Sequence, residues 1–121
     1  MVLNMIVSRQ LKFRGWDFSN NCYIQNEQAS FLFGLQEKGE QVLLEQYTGM
    51  IDCCGVEIFE GDILRLDVGE EEEGLYGKVT FNGLSWVLVP IIGLNVKLSL
   101  DVSKEDLLIV GNIHENRELL D

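Results

Sequence analysis

The stretch QYTGMIDCCGVEIFEGDILR, residues 46–65, decides the fold of this 121-residue chain. Short apolar runs lie on both sides of its two adjacent cysteines, Cys53 and Cys54. Asp52 followed three residues later by Gly55 fits the first and last positions of a type I β-turn. The stretch therefore predicts strands joined by a tight turn, with the two cysteines at the tip of that turn.

The same cysteines are candidates for a metal or redox site, and their spacing argues against it. Metal sites in proteins use spaced pairs such as Cys-x-x-Cys, with a second pair or histidines elsewhere. Adjacent cysteines do not readily ligate one tetrahedral ion, and Cys22, the third cysteine of the chain, does not complete a set. We therefore predict no metal site and no cofactor.

The rest of the chain is typical of a strand-rich protein, with 12 glycines, one proline and many short β-branched or aromatic runs. Asn82-Gly83 between two alternating runs predicts a two-residue hairpin with a type I′ turn. An apolar stretch at 29–35 and an acidic loop at 70–73 interrupt the pattern. Strands are predicted over residues 11–17, 22–25, 42–47, 63–68, 96–102 and 107–113.

The fold class predicted from this pattern is mostly β, as a small, strongly curved sheet or partly open barrel. The section from Gly61 to Val79 has the rhythm of an SH3-like barrel, since a Gly-Asp strand, a glycine-bearing loop and a Gly-Lys-Val strand follow one another. One or two short helical segments are expected near the C-terminus, at 103–106 and 115–120. The length predicts a single domain over residues 1–121 and leaves open whether residues 1–7 are ordered.

Charge constrains the choice of partner. The chain carries 20 acidic and 9 basic residues, a formal net charge of −11. A field of that sign repels phosphate backbones, so direct binding to nucleic acid is disfavoured. Lys12, Arg14 and Trp16 are the nearest approach to a basic and aromatic face. The plain interpretation of the acidic charge is solubility and low non-specific binding. The more specific alternative is a basic partner or mimicry of nucleic acid.

The N-terminal residues lack the pattern of a signal peptide, and no run approaches the roughly 18 apolar residues of a membrane helix. An odd number of cysteines without framework spacing suits a reducing compartment. We therefore expect no association with a membrane and a location in the cytoplasm.

Three separated motifs together resemble the YopX family, small proteins of bacteriophages and prophages. They are KFRGWD at 12–17, QYTGMIDCCGVEIFEGDILRL at 46–66 and GNIHENRELL at 111–120. Their order and spacing match over nearly the whole chain. The resemblance implies a β-rich fold, a phage or prophage origin and the cytoplasm of a bacterial host. It implies no activity.

The chain departs from the family pattern at a few positions. The family usually has polar residues such as Lys and Asn in place of Cys53 and Cys54, Tyr in place of Phe59 and His114, and Pro in place of Arg117. The cysteines thus stand where ordinary turn residues stand in the family. A tyrosine at the position of the only histidine favours an aromatic packing role for His114 over catalysis.

No catalytic residue is predicted. Glu60 and Asp62 match the family motif, and a converging pair of carboxylates could support a small metal-assisted enzyme. Turn hydrogen bonding beside Gly61 explains Asp62 equally well. The candidate binding residues are Lys12, Arg14, Trp16, Tyr47, Glu60 and Asp62.

The function expected from the sequence is that of a non-enzymatic phage or prophage accessory protein. Its expected work is protein–protein interaction, either with itself or with a host or phage component. Hydrophobic hairpins around 86–94 and an exposed sheet edge favour self-association. One alternative is a role linked to nucleic acid, either DNA binding through a small basic and aromatic face or DNA mimicry by the acidic surface. The other is the metal-assisted enzyme.

Overall fold

The structure is a computed structural model that describes residues 11–25, 28–67, 75–91, 98–99 and 103–120. These residues form two antiparallel sheets, one α-helix and two short 3-10 helices. The chain is therefore mostly β and forms a curled half barrel, as the sequence predicted. None of the helices in these ranges is both long enough and apolar enough to cross a membrane.

The first sheet has four strands: β1 Phe13–Asp17, β2 Cys22–Tyr23, β3 Val42–Ile51 and β4 Glu57–Phe59. Their order across the sheet is β2-β1-β3-β4. The long strand β3 is irregular where it pairs with β4, between Tyr47 and Ile51. Gly49 has a φ of +86° at this place, and the Thr48 hydroxyl donates to the carbonyl of Ile58 at 2.8 Å. The Thr-Gly pair of the central motif thus forms a β-bulge.

The α-helix α1, Ala29–Glu37, lies where the sequence predicted no helix. The expectation that helical structure would occur only near the C-terminus was wrong in this respect. The helix has no side-chain N-cap and contains Gly34, so its local signal is weak. Packing supplies the stability instead, because Leu32 is fully buried against the backbone of Gly15 in β1.

The second sheet has five strands: β5 Asp62–Leu66, β6 Leu75–Phe81, β7 Trp86–Pro90, β8 Leu98–Ser99 and β9 Leu107–Asn112. Their order is β8-β7-β6-β5-β9. The 3-10 helices Lys104–Asp106 and Arg117–Leu120 lie at the two places near the C-terminus where short helical turns were predicted.

The main core packs on one face of the second sheet and takes one residue, Ile58, from β4 of the first sheet. Burying each of these aliphatic side chains contributes roughly 1.5–3 kcal/mol. The packing of the Ile58 side chain in this core therefore helps to hold the two sheets together. The core residues are Ile58, Leu64, Leu66, Val79, Leu88 and Leu107.

The turn at the centre of the deciding stretch is confirmed. The Gly55 N–H donates to the Asp52 carbonyl at 3.0 Å, and Gly55 has a φ of +81°. Cys53 and Cys54 are exposed free thiols at the tip, with their sulfur atoms 3.8 Å apart. The cysteines are therefore turn residues.

The side chain of Asp52 is buried and fastens this turn to the second sheet. Its Oδ1 accepts from the N–H groups of Cys54 and Val56, both at 2.9 Å, and its Oδ2 accepts from the N–H of Ile109 at 3.1 Å. Burial alone would raise the pKa of Asp52, but the three N–H donors outweigh burial and hold the pKa below its ordinary value.

Replacing Asp52 by Asn should lower the free energy of unfolding by about 2 kcal/mol, because the amide cannot accept from all three N–H groups. The pKa of Asp52 in the folded state lies below its ordinary value. The ionised Asp52 therefore stabilises the fold above the unfolded-state pKa, and this stabilisation is lost as pH falls through the folded-state pKa. The gap between wild type and variant should therefore narrow below about pH 4. Urea unfolding of wild type and variant at several pH values measures this difference in free energy, and Asp106→Asn, at an exposed residue, is the control. A gap that stays constant with pH would contradict this role.

One local prediction needs correction, and three others fall on residues outside the described ranges. The β6–β7 hairpin pairs Phe81 with Trp86, so its loop is the four residues 82–85 and not a two-residue type I′ turn. The Asn82 side chain accepts from the N–H groups of Leu84 and Ser85 and stabilises the longer loop. Residues 1–7, the acidic run 70–73 and most of the strand predicted at 96–102 lie outside the described residues.

Candidate functional site

A buried carboxylate lies between the two sheets. Glu45 of β3 is only 1% exposed. Its Oε1 accepts from Arg14 Nε of β1 and from the Tyr23 hydroxyl of β2, each at 2.8 Å. Its Oε2 lies 3.0 Å from Nε2 of His114, which follows β9. We call Glu45, Arg14, Tyr23, Asp62 and His114 the Glu45 cluster.

Arg14 is the cation of this cluster. It stands directly opposite Glu45 in the β1–β3 register, and its Nη2 contacts Asp62 Oδ1 at 2.9 Å. The same Nη2 donates to the carbonyl of Glu60 at 3.2 Å. Burial disfavours the charged guanidinium, but attraction from Asp62 and Glu45 outweighs it and raises the pKa of Arg14. Arg14 thus stays charged between two buried carboxylates.

Aromatic rings enclose the guanidinium. Its central carbon lies 4.5 Å from the centroid of Tyr23 and 4.9 Å from that of Phe59, within range of cation–π attraction. Burial is the main cause that raises the pKa of Tyr23 far above its ordinary value, which keeps the hydroxyl a donor to Glu45. The rings and the carboxylates together fix the side chain of Arg14 in place.

His114 closes the cluster from the C-terminal end of the chain. Its ring stacks on Trp16, with centroids 4.5 Å apart and planes only 6° from parallel. Phe18 approaches the same ring edge-on at 5.9 Å. The aromatic packing predicted for His114 is present, and the contact with Glu45 adds a polar role that the sequence did not indicate.

Glycine at position 61 allows the carboxylate to come this close. Gly61 has a φ of +89°, and a Cβ there would overlap Glu45 Oε2. Its N–H donates to the Val79 carbonyl and its carbonyl accepts from Ile113, at 3.0 and 2.9 Å. The Glu45 carboxylate therefore packs against the backbone of Gly61, the glycine of the Gly-Asp pair in the central motif.

A histidine beside a carboxylate is half of a nucleophilic catalytic arrangement. Among the described residues, however, His114 has no hydrogen bond to a serine, threonine or cysteine side chain that would serve as nucleophile. No three His, Cys, Asp or Glu side chains in those ranges are grouped to hold a metal ion. The geometry of the Glu45 cluster is that of a buried tie between the sheets.

Arg14 and Trp16 lie on one face of β1, and that face turns inward, while Lys12 directly precedes the strand. Trp16 is buried, and Arg14 is paired with two carboxylates. Lys12 Nζ contacts Glu57 Oε1 at 2.7 Å. Arg14 and Trp16 therefore do not present the outward basic and aromatic surface that DNA binding would need.

The other predicted residues lie close by. Tyr47 is buried, with its ring centroid 5.5 Å from that of Phe59. Asp62 is buried as well, and its Oδ2 accepts from the Phe59 N–H at 2.8 Å. Glu60 lines a cavity of about 220 Å³ together with Glu45 and Gly61. Burial is the main cause that raises the pKa of both Glu60 and Asp62.

Sequence reasoning missed Glu45 and Tyr23. A signal for Glu45 exists, because it alternates with Leu43 and Tyr47 on one face of a strand. A carboxylate on a face that also carries apolar side chains needs a buried partner. Nothing local identifies Tyr23, whose two-residue strand is too short to show a period.

An exposed apolar cluster lies at the tip of the β6–β7 hairpin. Leu84 is 94% exposed and Phe81 is 44% exposed. The rings of Phe81 and Trp86 contact each other with centroids 4.9 Å apart. We call Phe81, Leu84 and Trp86 the hairpin tip. Asn82 holds the intervening loop, so the tip is pre-organised.

Comparison with known proteins connects the fold to a family. A family model described as YopX protein matches residues 32–121, which include the second and third motifs. Among solved structures, the chain is similar to the crystal structure of protein EF1440 from Enterococcus faecalis, with a TM-score of 0.60 and 22% sequence identity. The similarity covers 94% of this chain and 100% of the other, and at this identity it shows the fold alone. No curated protein matches the chain.

Proposed function

The chain belongs to the YopX protein family, and on this basis we propose that it is a non-enzymatic accessory protein of a bacteriophage or prophage that binds another protein. The proposed place of action is the cytoplasm of the bacterial host. The SH3-like character of the second sheet stays a prediction about architecture and carries no function by itself.

The hairpin tip is the observation that carries this proposal. Leu84 is 94% exposed and lies outside the folding core, while Phe81 is 44% exposed and contacts Trp86, which is partly buried against the core. Aromatic side chains dominate the energetics of protein interfaces. The Asn82 hydrogen bonds hold the loop in one conformation before binding, which lowers the entropy cost of association. The tip therefore has the composition and rigidity of an anchor for an apolar pocket.

Charge indicates the kind of partner. Each chain carries a net charge of −11, so two copies repel each other at long range while a basic protein is attracted. We therefore assign to the hairpin tip a partner that offers an apolar pocket with a positively charged rim. A second copy of the chain is the less favoured occupant.

The proposal predicts that Leu84→Ser abolishes capture of the partner. Tagged wild type and variant are compared by quantitative mass spectrometry after capture from phage-carrying cells. Leu11→Ser is the matched control, because Leu11 is also strongly exposed, at 63%, and lies outside the tip. The partner should be a basic protein that is lost with Leu84→Ser, retained with Leu11→Ser and released by added salt.

Other outcomes would overturn the proposal. Equal capture by both variants would remove the hairpin tip from the interface. Sedimentation that shows a wild-type oligomer and a Leu84→Ser monomer would assign the tip to self-assembly. Capture of DNA-binding proteins that DNA competes away, regardless of Leu84, would favour DNA mimicry by the acidic surface.

The metal-assisted enzyme has less support. Asp62, one of its two carboxylates, is already engaged by Arg14 and by the N–H of Phe59. A melting temperature unchanged by Mg²⁺, Mn²⁺ or Zn²⁺ would count against this alternative, because a metal bound to the native state stabilises it.

A further inference from the structure

We propose that the cavity beside the His114–Trp16 stack binds a small organic phosphate, with the phosphate at Lys78 and Arg117 and a planar ring against Phe18. The cavity has a volume of about 380 Å³ and also exposes the edge of His114. This size lies within the usual range of small-molecule sites. None of the residues of the hairpin tip lines this cavity, so the proposal does not depend on the proposed role of the hairpin tip.

The sign of the charge in this cavity is opposite to that of the chain. Two of the nine basic residues, Lys78 and Arg117, line it together with the only histidine, and no carboxylate is among its lining residues. Glu115 and Glu118, the acidic neighbours in sequence, hydrogen-bond instead to Asn112 and Asn116. The local field in the cavity therefore attracts an anion although the whole chain is acidic.

Neither Lys78 nor Arg117 is paired with a carboxylate of the described residues. In the part of the chain that the structure describes, the Lys78 ammonium and the Arg117 guanidinium make no ion pair or side-chain hydrogen bond. Arg14, by contrast, has two carboxylate partners. Phosphate oxygens would supply charge-assisted acceptors of the kind that Arg and Lys bind best.

The apolar walls of the cavity suit a planar group. Phe18 is 48% exposed and lies at the rim, while Trp16 is buried and forms the floor with His114. Stacking of a base on an exposed aromatic ring contributes roughly 1–3 kcal/mol. A long polyanion would extend from the cavity over the acidic body of the protein and be repelled. The ligand class is thus a free organic phosphate with one ring, such as a nucleoside monophosphate.

Isothermal titration calorimetry of the full chain tests the proposal, with adenosine 5′-monophosphate, adenosine and inorganic phosphate as probes. The monophosphate should bind more tightly than either of its parts. Lys78→Ala and Arg117→Ala should each raise its Kd at least about tenfold. Lys104→Ala, a substitution of an exposed lysine outside the cavity, should leave it unchanged. Phe18→Ser should weaken binding of the monophosphate without weakening binding of inorganic phosphate.

Three results would overturn the inference. The first is no heat of binding for any probe with the folded wild-type chain, and the second is equal binding of the monophosphate by wild type, Lys78→Ala and Arg117→Ala. The third is tighter binding of a 5′-phosphorylated oligonucleotide than of the monophosphate, which would assign the cavity to a nucleic-acid end instead of a free small molecule. Circular dichroism of each variant confirms that loss of binding is not loss of folding.

Discussion

Replacing Arg14 by methionine is expected to lower the free energy of unfolding by about 3–5 kcal/mol. Methionine has a similar length and keeps the contacts with the rings of Tyr23 and Phe59. It removes the guanidinium that contacts both Glu45 and Asp62, at 2.8 and 2.9 Å. Two buried carboxylates would then face each other without a counter-charge, which costs far more than the ion pairs contribute on balance.

Urea unfolding at neutral pH measures the change, and Lys12→Met is the matched control. Lys12 directly precedes the same strand, but its ion pair with Glu57 at 2.7 Å is partly exposed. An exposed pair contributes at most about 1 kcal/mol. A loss in the Arg14 variant no larger than that in the Lys12 variant would mean that water reaches the Glu45 cluster and screens its charges.

Replacing Gly61 by alanine should destabilise the fold by roughly 2–5 kcal/mol, from two separate causes. A residue other than glycine at a φ of +89° is strained, at a cost of about 1–2 kcal/mol. The added Cβ also overlaps Glu45 Oε2, and such overpacking costs about 1–3 kcal/mol. The carboxylate would have to leave its place between Arg14 and His114.

Gly39 separates the two causes, because it has a similar φ of +81° with nothing near the position of a Cβ. Gly39→Ala should therefore show the backbone strain alone, and the difference between the two variants reports the overlap. In a double-mutant cycle, Glu45→Ala should remove most of that difference. Equal destabilisation by the two glycine variants would show that Glu45 moves aside without cost.

The parts of the fold that were predictable are those in which a few neighbouring residues dictate the backbone. The turn from Asp52 to Gly55 depends on the Asp52 side chain and on a positive φ at Gly55, and the backbone at Gly61 also has a positive φ. The aspartate and the glycines that favour these conformations are visible in the sequence. The helix α1 depends instead on the burial of Leu32 over Gly15. That contact joins two elements distant in sequence, and no local pattern contains it.

The Glu45 cluster was likewise predictable only in part. Arg14 and Asp62 were identified as candidate residues, but as parts of separate surfaces. The register that sets Arg14 opposite Glu45, and the placement of His114 beside it, arise from the pairing of strands. A local alternation cannot tell which face of β1 is covered, so Trp16 was grouped with Lys12 and Arg14 as a possible binding face although it is buried.

The pairing of β5 with β9, Asp62 opposite Asn112 and Leu66 opposite Leu107, has a consequence for synthesis of the protein. Before residues 107–114 have been synthesised, β5 lacks one neighbour, Asp52 lacks the N–H of Ile109, and Glu45 lacks His114. Pairings between segments so distant in the chain form slowly and leave apolar strands open in the meantime. The nascent chain is thus open to aggregation and proteolysis at least until residues 107–114 have emerged and paired with β5 and Glu45.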